Sequence, residues 1–242
     1  MNTPKNNIIA QFSSRLNPYF KKYLAVVEKS QGEFSQYLPD VRNEKRKEVR
    51  LIAQSELQTN VEAVIKSIQD DIKKSDAQIF EKKYPKRSKG YLTDDLSAAG
   101  DRQLNAVLNL LSYQRTQEQI LFHLKHFIDC KQYDAAFLLY DNIMMTFNPY
   151  KDDVKKKEMI NNIEEVISNL KNELGITEIE NKIKLYNQFL SNAKPFLTVL
   201  KAKFDLGDSH VRELHQSVKT FMRDVFPDLY DYIFKKSYPA QA

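Results

Sequence analysis

The chain has 242 residues, of which 42% are hydrophobic and 29% are charged, so it can bury a sizeable core and is not a disordered polypeptide. Only five glycines occur, which argues against a turn-rich all-β fold. The net charge of +5 lies wholly within residues 1–100, because acidic and basic residues cancel in the remainder. No apolar run approaches the ~18 residues that a membrane-spanning helix needs.

The N-terminal stretch and the cysteine content predict a cytoplasmic protein. The first residues, MNTPKNNIIAQF, lack the long apolar segment and the cleavage site of a secretory signal. Cys130 is the only cysteine, so the chain cannot form an internal disulfide and nothing implies an oxidising compartment. We therefore expect no membrane association.

Two short helices are predicted before residue 39. The first is indicated by helical spacing of the apolar residues Ile8, Ile9, Phe12 and Leu16. Asn17 and Pro18 form a favourable helix start, with Asn as the cap and Pro at the first helical position. A break at Pro18 is therefore expected, followed by a second helix that ends near Gly32.

Residues 40–83 contain no Gly and no Pro, although Pro39 and Pro85 flank them. They predict one long helix, or two nearly coaxial ones, and the chain is organised around this segment. Nearly every residue up to Arg50 is charged, so this part is expected to be solvated on most of its circumference. Whether the helix folds back near residues 54–60, where its apolar stripe is weakest, is open from the sequence alone.

The second half of this helix carries a longer apolar stripe, to which Ile52 and Phe80 are also assigned. Between residues 61 and 79 the apolar positions alternate in steps of four and three, with Ser75 filling the missing position. Such a seam is typical of a coiled coil or a bundle. We interpret it as the partner-binding surface, formed by Leu57, Val61, Ile65, Ile68, Ile72 and Ile79.

Residues 81–95 read as a loop that is rich in positive charge and tyrosine. Lysine and arginine can neutralise phosphates, and tyrosine can stack on bases, which makes this loop the best candidate for nucleic-acid binding. Glu81, Asp94 and Asp95 lie among the positive residues, as on an ordinary charged surface. The candidate residues are Lys82, Lys83, Tyr84, Lys86, Arg87, Lys89 and Tyr91.

The remaining chain predicts a multi-helix bundle. A helix over about 101–128 and a second from Tyr133 to Phe147 are joined by a turn at residues 129–132. Gly175 is expected to close a later helix in the left-handed conformation. Pro195 is expected to interrupt another helix. We divide the chain into N-terminal helices with the basic loop, residues 1–95, and a C-terminal bundle, residues 96–242.

One helix face carries possible metal ligands. His123, His126 and Cys130 are spaced by three and four residues, so they project from the same side of a helix. A structural zinc site needs four ligands, usually from two segments, and no CxxC pair occurs. Together with the absence of a nucleophile elbow or a phosphate-binding glycine loop, this predicts no metal, no cofactor and no enzymatic activity.

The sequence thus predicts an all-α fold, with a long N-terminal helix at about 40–83 packed on or projecting from a C-terminal multi-helix bundle. Its expected function is a non-enzymatic interaction or assembly protein, a scaffold that uses the coiled-coil-like seam to bind a protein partner or itself as a homo-oligomer. The alternatives are a nucleic-acid-binding protein that uses loop 82–91 and a structural component of a phage or similar large assembly.

Overall fold

The computed structural model describes residues 4–34, 36–85, 117–147, 154–202, 206, 214–231 and 234. All regular elements in these residues are helical, which confirms the all-α prediction. In this part of the chain, no helix is long and apolar enough to cross a membrane. The helices are α1 (Pro4–Glu33), α2 (Pro39–Lys83), α3 (Gln117–Asp129), α4 (Tyr133–Phe147), α5 (Val154–Glu173), α6 (Ile176–Lys201), α7 (Gln216–Val225) and α8 (Pro227–Asp231).

Helix α2 is continuous over 45 residues and does not fold back near residues 54–60. The polar side chains of this stretch bond to carbonyls one turn earlier, so they do not draw the backbone out of the helix. The Thr59 hydroxyl donates to the Ser55 carbonyl at 3.0 Å, and the Asn60 amide donates to the Glu56 carbonyl at 2.8 Å. The predicted long helix is confirmed.

The breaks predicted at Pro18 and Pro195 are wrong, because both prolines lie inside helices, α1 and α6 respectively. A proline inside a helix removes one backbone hydrogen bond and costs ~3 kcal/mol or more. Burial of the side chains around each proline offsets this cost, so the helix continues through it. Leu16 and Phe20 flank Pro18 and are at most 2% exposed, and Phe196, beside Pro195, is fully buried.

The chain forms two compact units. The first combines Met1–Ile72 with Ile183–Ala242, and the second is the continuous segment Lys73–Lys182. The predicted division at residue 95 falls outside the described residues. The grouping differs from that prediction because helices before Ile72 share one hydrophobic core with helices after Ile183.

The first unit is organised around an aromatic core. Helices α1 and α7 pack together, as do α7 and α8. The Phe20 and Phe226 rings are stacked at a centroid distance of 4.1 Å, and Phe221 lies edge-on to Phe226 at 5.7 Å. Core side chains of this unit include Phe12, Leu16, Phe20, Tyr23, Leu57, Ile68, Phe189, Phe196, Phe221 and Phe226.

The second unit packs α3, α4 and α5 against one another. The predicted turn between α3 and α4 is present, with the Gln132 amide donating to the Phe127 carbonyl at 2.8 Å. Gly175 has a φ of +66°, which confirms the predicted left-handed cap after α5. The helix predicted to begin near residue 101 lies outside the described residues until Gln117. Core side chains include Ile120, Leu124, Phe127, Ala136, Phe137, Leu139, Ile143, Ile163, Ile167 and Leu170.

Candidate interaction surface

The residues predicted as the partner-binding seam are covered by the chain itself. Ile72 is partly buried against the core of the first unit, and Ile79 is partly buried against the core of the second. The remaining four are no more than 7% exposed. In the folded chain these four side chains are therefore not accessible to a partner, whereas Ile72 and Ile79 keep part of their surface exposed. The four fully packed members are Leu57, Val61, Ile65 and Ile68.

The opposite side of α2 carries the exposed apolar residues of this helix's first half. Ile52 is 66% exposed, and Val41 is also exposed. Assigning Ile52 to the same apolar stripe as Leu57 was wrong, because a step of five residues turns it by roughly 140° around the helix. Leu38, which immediately precedes α2, is 75% exposed.

These apolar residues belong to one regularly spaced stripe. Val41, Lys45, Glu48 and Ile52 follow one another along α2 in steps of four, three and four, so they share a face, and Leu38 lies three residues before Val41, just outside the helix; we call these five residues the outer stripe. The Lys45 ammonium lies 5.6 Å from the ring centre of Tyr37. This spacing is readable in the sequence, but the long charged stretch around it obscured the signal.

A groove of about 330 Å³ adjoins the outer stripe in the first unit. Leu51, Ile52 and Leu200 supply its apolar surface, so α2 and α6 form its sides. Gln54 is buried, and its side-chain oxygen accepts a hydrogen bond from the Leu206 backbone amide at 3.3 Å. The complete lining is Glu48, Leu51, Ile52, Gln54, Ser55, Gln58 and Leu200.

An ion pair joins the two helices that form the groove. The Lys201 ammonium lies 3.1 Å from a Glu62 carboxylate oxygen, and the Gln58 amide donates to the same carboxylate at 3.3 Å. Hydrogen bonds from Lys201 and then Gln58 lower the pKa of Glu62. Glu62 stays ionised at neutral pH, and the pair connects α2 to α6 beside the groove.

The arginines in the charged first part of α2 are not simply solvated as predicted. The Arg46 guanidinium donates to the Ser30 carbonyl at 2.9 Å, and that of Arg50 donates to the Ser30 hydroxyl at 3.2 Å. Arg42 donates to the Tyr37 carbonyl at 2.9 Å. Cations are favourable at a helix C-terminus, where carbonyls lack helical partners, and Ser30 lies in the last turn of α1. Arg46 and Arg50 therefore face α1 rather than the outer stripe.

Lys82 and Lys83, predicted to lie in the basic loop, lie instead in the last turn of α2 and make contacts within the second unit. The Lys82 ammonium donates to the Leu174 carbonyl at 2.6 Å, just after the end of α5. The Lys83 ammonium lies 5.4 Å from the ring centre of Phe137. Both charges therefore contribute to local structure.

Tyr84, the tyrosine of the predicted loop that the structure describes, also makes contacts within the second unit. The Tyr84 hydroxyl donates to an Asp141 carboxylate oxygen at 2.7 Å, and its ring lies 5.1 Å from that of Phe80. Phe80, assigned to the apolar stripe of α2, is half exposed. The other predicted nucleic-acid residues, Lys86, Arg87, Lys89 and Tyr91, lie outside the described residues.

His126 of α3 and Cys130, the residue directly after this helix, bring two possible metal ligands close together. The Cys130 sulfur lies 3.8 Å from His126 Nε2, and both side chains are exposed. Phe122 is 67% exposed, and its ring lies parallel to that of His126 at 6.4 Å. Across the described residues, no three His, Cys, Asp or Glu side chains are arranged to hold a metal ion.

The outer stripe and the groove together offer apolar contact, one positive charge and one negative charge. A helix with apolar residues at the same spacing matches such a surface, as in helix-in-groove recognition. The arrangement is therefore suited to binding a protein helix. Comparisons with protein-family models, with curated protein sequences and with solved structures found no match to this chain.

Proposed function

We propose that this chain is a non-enzymatic helical assembly protein that binds a protein through the outer stripe and the adjoining groove. The observation that carries the proposal is the position of Ile52. Its side chain is two-thirds exposed at the edge of an apolar groove, on a helix whose other apolar side is buried in the core. Apolar surface left exposed beside a concavity marks interaction sites in soluble proteins.

The three apolar residues of the outer stripe supply most of the favourable free energy. Fully covering a Leu, Val or Ile side chain contributes ~1.5–3 kcal/mol. Ile52 and Leu38 are largely uncovered and gain most, whereas Val41 is already partly covered and gains less. Lys45 and Glu48 lie between Val41 and Ile52. They orient the partner but add little to the affinity, because exposed ion pairs contribute only ~0–1 kcal/mol.

Nucleic-acid binding by the basic loop stays a prediction, and no contact in the described residues favours it. Lys82 and Tyr84 already bond within the second unit, so their side chains are not poised for phosphate or base. A gel-shift series at rising salt decides the matter with Lys86, Arg87 and Lys89 each changed to Glu. Absence of a salt-sensitive shift for the wild-type chain rejects nucleic-acid binding.

A site-specific photo-cross-linker tests the proposed function. A benzophenone amino acid replaces Ile52 in one variant and Phe122 in a matched control, since the two side chains are 66% and 67% exposed. Irradiation in native extract is expected to give a discrete cross-linked protein product from position 52 and none from position 122. Circular dichroism checks that both variants retain the wild-type helix content.

Two results would contradict the proposal. Position 52 giving no product in a correctly folded variant means that the outer stripe is plain surface. The same products from positions 52 and 122 mean that the contacts are non-specific. Mass spectrometry of a product unique to position 52 identifies the partner, whether it is a second copy of this chain or another protein.

A further inference from the structure

We infer that the partner is a second copy of this chain, bound antiparallel along the outer stripe about a twofold axis that passes between positions 46 and 47 of α2. The inference rests on the proposed function and names the partner of the same surface. It is carried by the order of Val41, Lys45, Glu48 and Ile52 along the stripe, which is its own complement when reversed. A twofold interface requires this self-complementarity, because one patch must fit an identical patch.

The two charges of the outer stripe pair in this register. Lys45 lies opposite Glu48 of the second copy, and Glu48 lies opposite Lys45 of the second copy, so the twofold axis generates two ion pairs. A parallel, in-register arrangement instead places like charges side by side, which is unfavourable. The charge order therefore selects the antiparallel arrangement.

The apolar residues match in the same register. Val41 lies opposite Ile52 of the second copy, which brings exposed apolar side chains together on each side of the ion pairs. Leu38 lies opposite Ser55 of the second copy. Ser55 is part of the groove lining, so the most exposed of these side chains meets the groove of about 330 Å³. The charge pairing and the position of Leu38 opposite the groove thus agree on one register.

The neighbouring cations do not oppose this pairing. Arg46 lies next to the axis in sequence, but its guanidinium donates to the Ser30 carbonyl, away from the outer stripe. Arg42 donates to the Tyr37 carbonyl, near the α1–α2 turn. Lys47 is exposed and is turned about 100° from Glu48 around the helix. Within the outer stripe, each copy therefore presents one lysine, Lys45, whose ammonium also lies 5.6 Å from the Tyr37 ring centre, and one glutamate, Glu48. Exposed Glu44 flanks the stripe, about 40° from Glu48 around the helix.

A charge-reversal cycle tests the pairing. The association constant is measured by analytical ultracentrifugation for the wild type, for Lys45→Glu, for Glu48→Lys and for the chain that carries both changes. We expect each single change to weaken dimerisation at least tenfold, and the double change to return to within about threefold of wild type, because the double change re-forms both opposite-charge pairs. Circular dichroism, at concentrations where the chain is monomeric, checks that the changes do not alter the helix content.

The outcomes separate this inference from the proposed function. A double variant as weak as the single variants overturns the antiparallel pairing. A wild-type chain that stays monomeric at all concentrations overturns self-association. In that case a cross-linked product from position 52 that contains a different protein still supports the proposed function, and no product at all removes both.

Disulfide trapping tests the register by a second route, in a Cys130→Ser background because Cys130 is an exposed thiol. Mixing Val41→Cys chains with Ile52→Cys chains is expected to give a mixed disulfide, and neither variant alone is expected to cross-link. In the antiparallel register, equivalent positions are about 16 Å apart along the helix axis, since eleven residues rise ~1.5 Å each. A disulfide needs Cα atoms within ~7 Å. Disulfides within single variants, or none in the mixture, overturn the register.

Discussion

Replacing Leu57 with Ala tests whether the α2 seam is core. Leu57 is 0% exposed and lies in the core of the first unit. The change removes the equivalent of three CH₂ groups at ~0.8 kcal/mol each, or about 2.5 kcal/mol of transfer free energy. The residual cavity adds ~1 kcal/mol, because the surrounding helices relax only in part. We therefore expect the free energy of unfolding to fall by about 3–4 kcal/mol.

Urea denaturation followed by circular dichroism measures this loss. For an m value of ~2 kcal/mol/M, the midpoint is expected to fall by about 1.5–2 M. Ile52→Ala is the matched control on the same helix, since its side chain is 66% exposed. Its free energy of unfolding is expected to stay within about 0.5 kcal/mol of wild type in a dilute solution of monomers.

Dilution provides the result that would refute the reasoning. Replacing a core residue lowers the free energy of unfolding equally at every protein concentration. Replacing a residue in an intermolecular interface lowers it only at concentrations where copies associate. A loss for Leu57→Ala that disappears on dilution would place this residue in an interface between chains. A loss below about 1 kcal/mol would mean that the site is not tightly packed.

Three further predictions concern local features. Gly175→Ala is expected to lower the free energy of unfolding by about 1 kcal/mol, because φ at this position is +66°. Gly32→Ala is expected to be neutral or stabilising, because Gly32 lies inside α1 and an added Cβ would meet no neighbouring atom within 4 Å. Urea midpoints compare the two variants. Arg46→Met deletes the hydrogen bond to a carbonyl in the last turn of α1 and is expected to lower the free energy of unfolding by about 1 kcal/mol, which is a fall of about 0.5 M in the urea midpoint. The change Lys47→Met, at an exposed position, is the control and is expected to have no effect. Burial, followed by nearby carboxylates, raises the pKa of Tyr140. The stability that the neutral Tyr140 side chain contributes is therefore present below pH 10 and is lost as pH rises through the folded-state pKa. A phenolate absorbance titration should show an ionisation above pH 10 that Tyr140→Phe removes.

Local sequence rules predicted the long helix and failed at two prolines for an identifiable reason. Residues 40–83 lack any helix-breaking residue, so no tertiary information was needed for α2. At Pro18 and Pro195 the local rule predicts a break, but the flanking core side chains favour continuation. The cost of an internal proline is ~3 kcal/mol, which burial of two or more large side chains offsets.

The candidate surface shows what a single sequence leaves open. Helix α2 carries two regularly spaced stripes, the outer stripe up to Ile52 and the seam from Leu57 onward. Spacing identifies both, but only the positions of other helices decide which one is buried. Because α1 and the segments after Ile183 cover the seam from Leu57 to Ile68, the exposed surface of the helix is the one with fewer apolar residues. The same distant pairings made the division into two units unpredictable from local patterns.

The discontinuity of the first unit has a consequence for synthesis on the ribosome. Segment Lys73–Lys182 is continuous, so all the residues of its unit are present once it has emerged, but the helices before Ile72 must wait for the residues after Ile183. At a translation rate of ~5–20 residues per second, the intervening segment of about 110 residues takes roughly 5–20 s to make. During that interval, the side chains that later meet α6, α7 and α8 are uncovered on the nascent chain. Leu57, Val61, Ile65 and Ile68 of the seam thus remain uncovered on the nascent chain until the residues after Ile183 have been made.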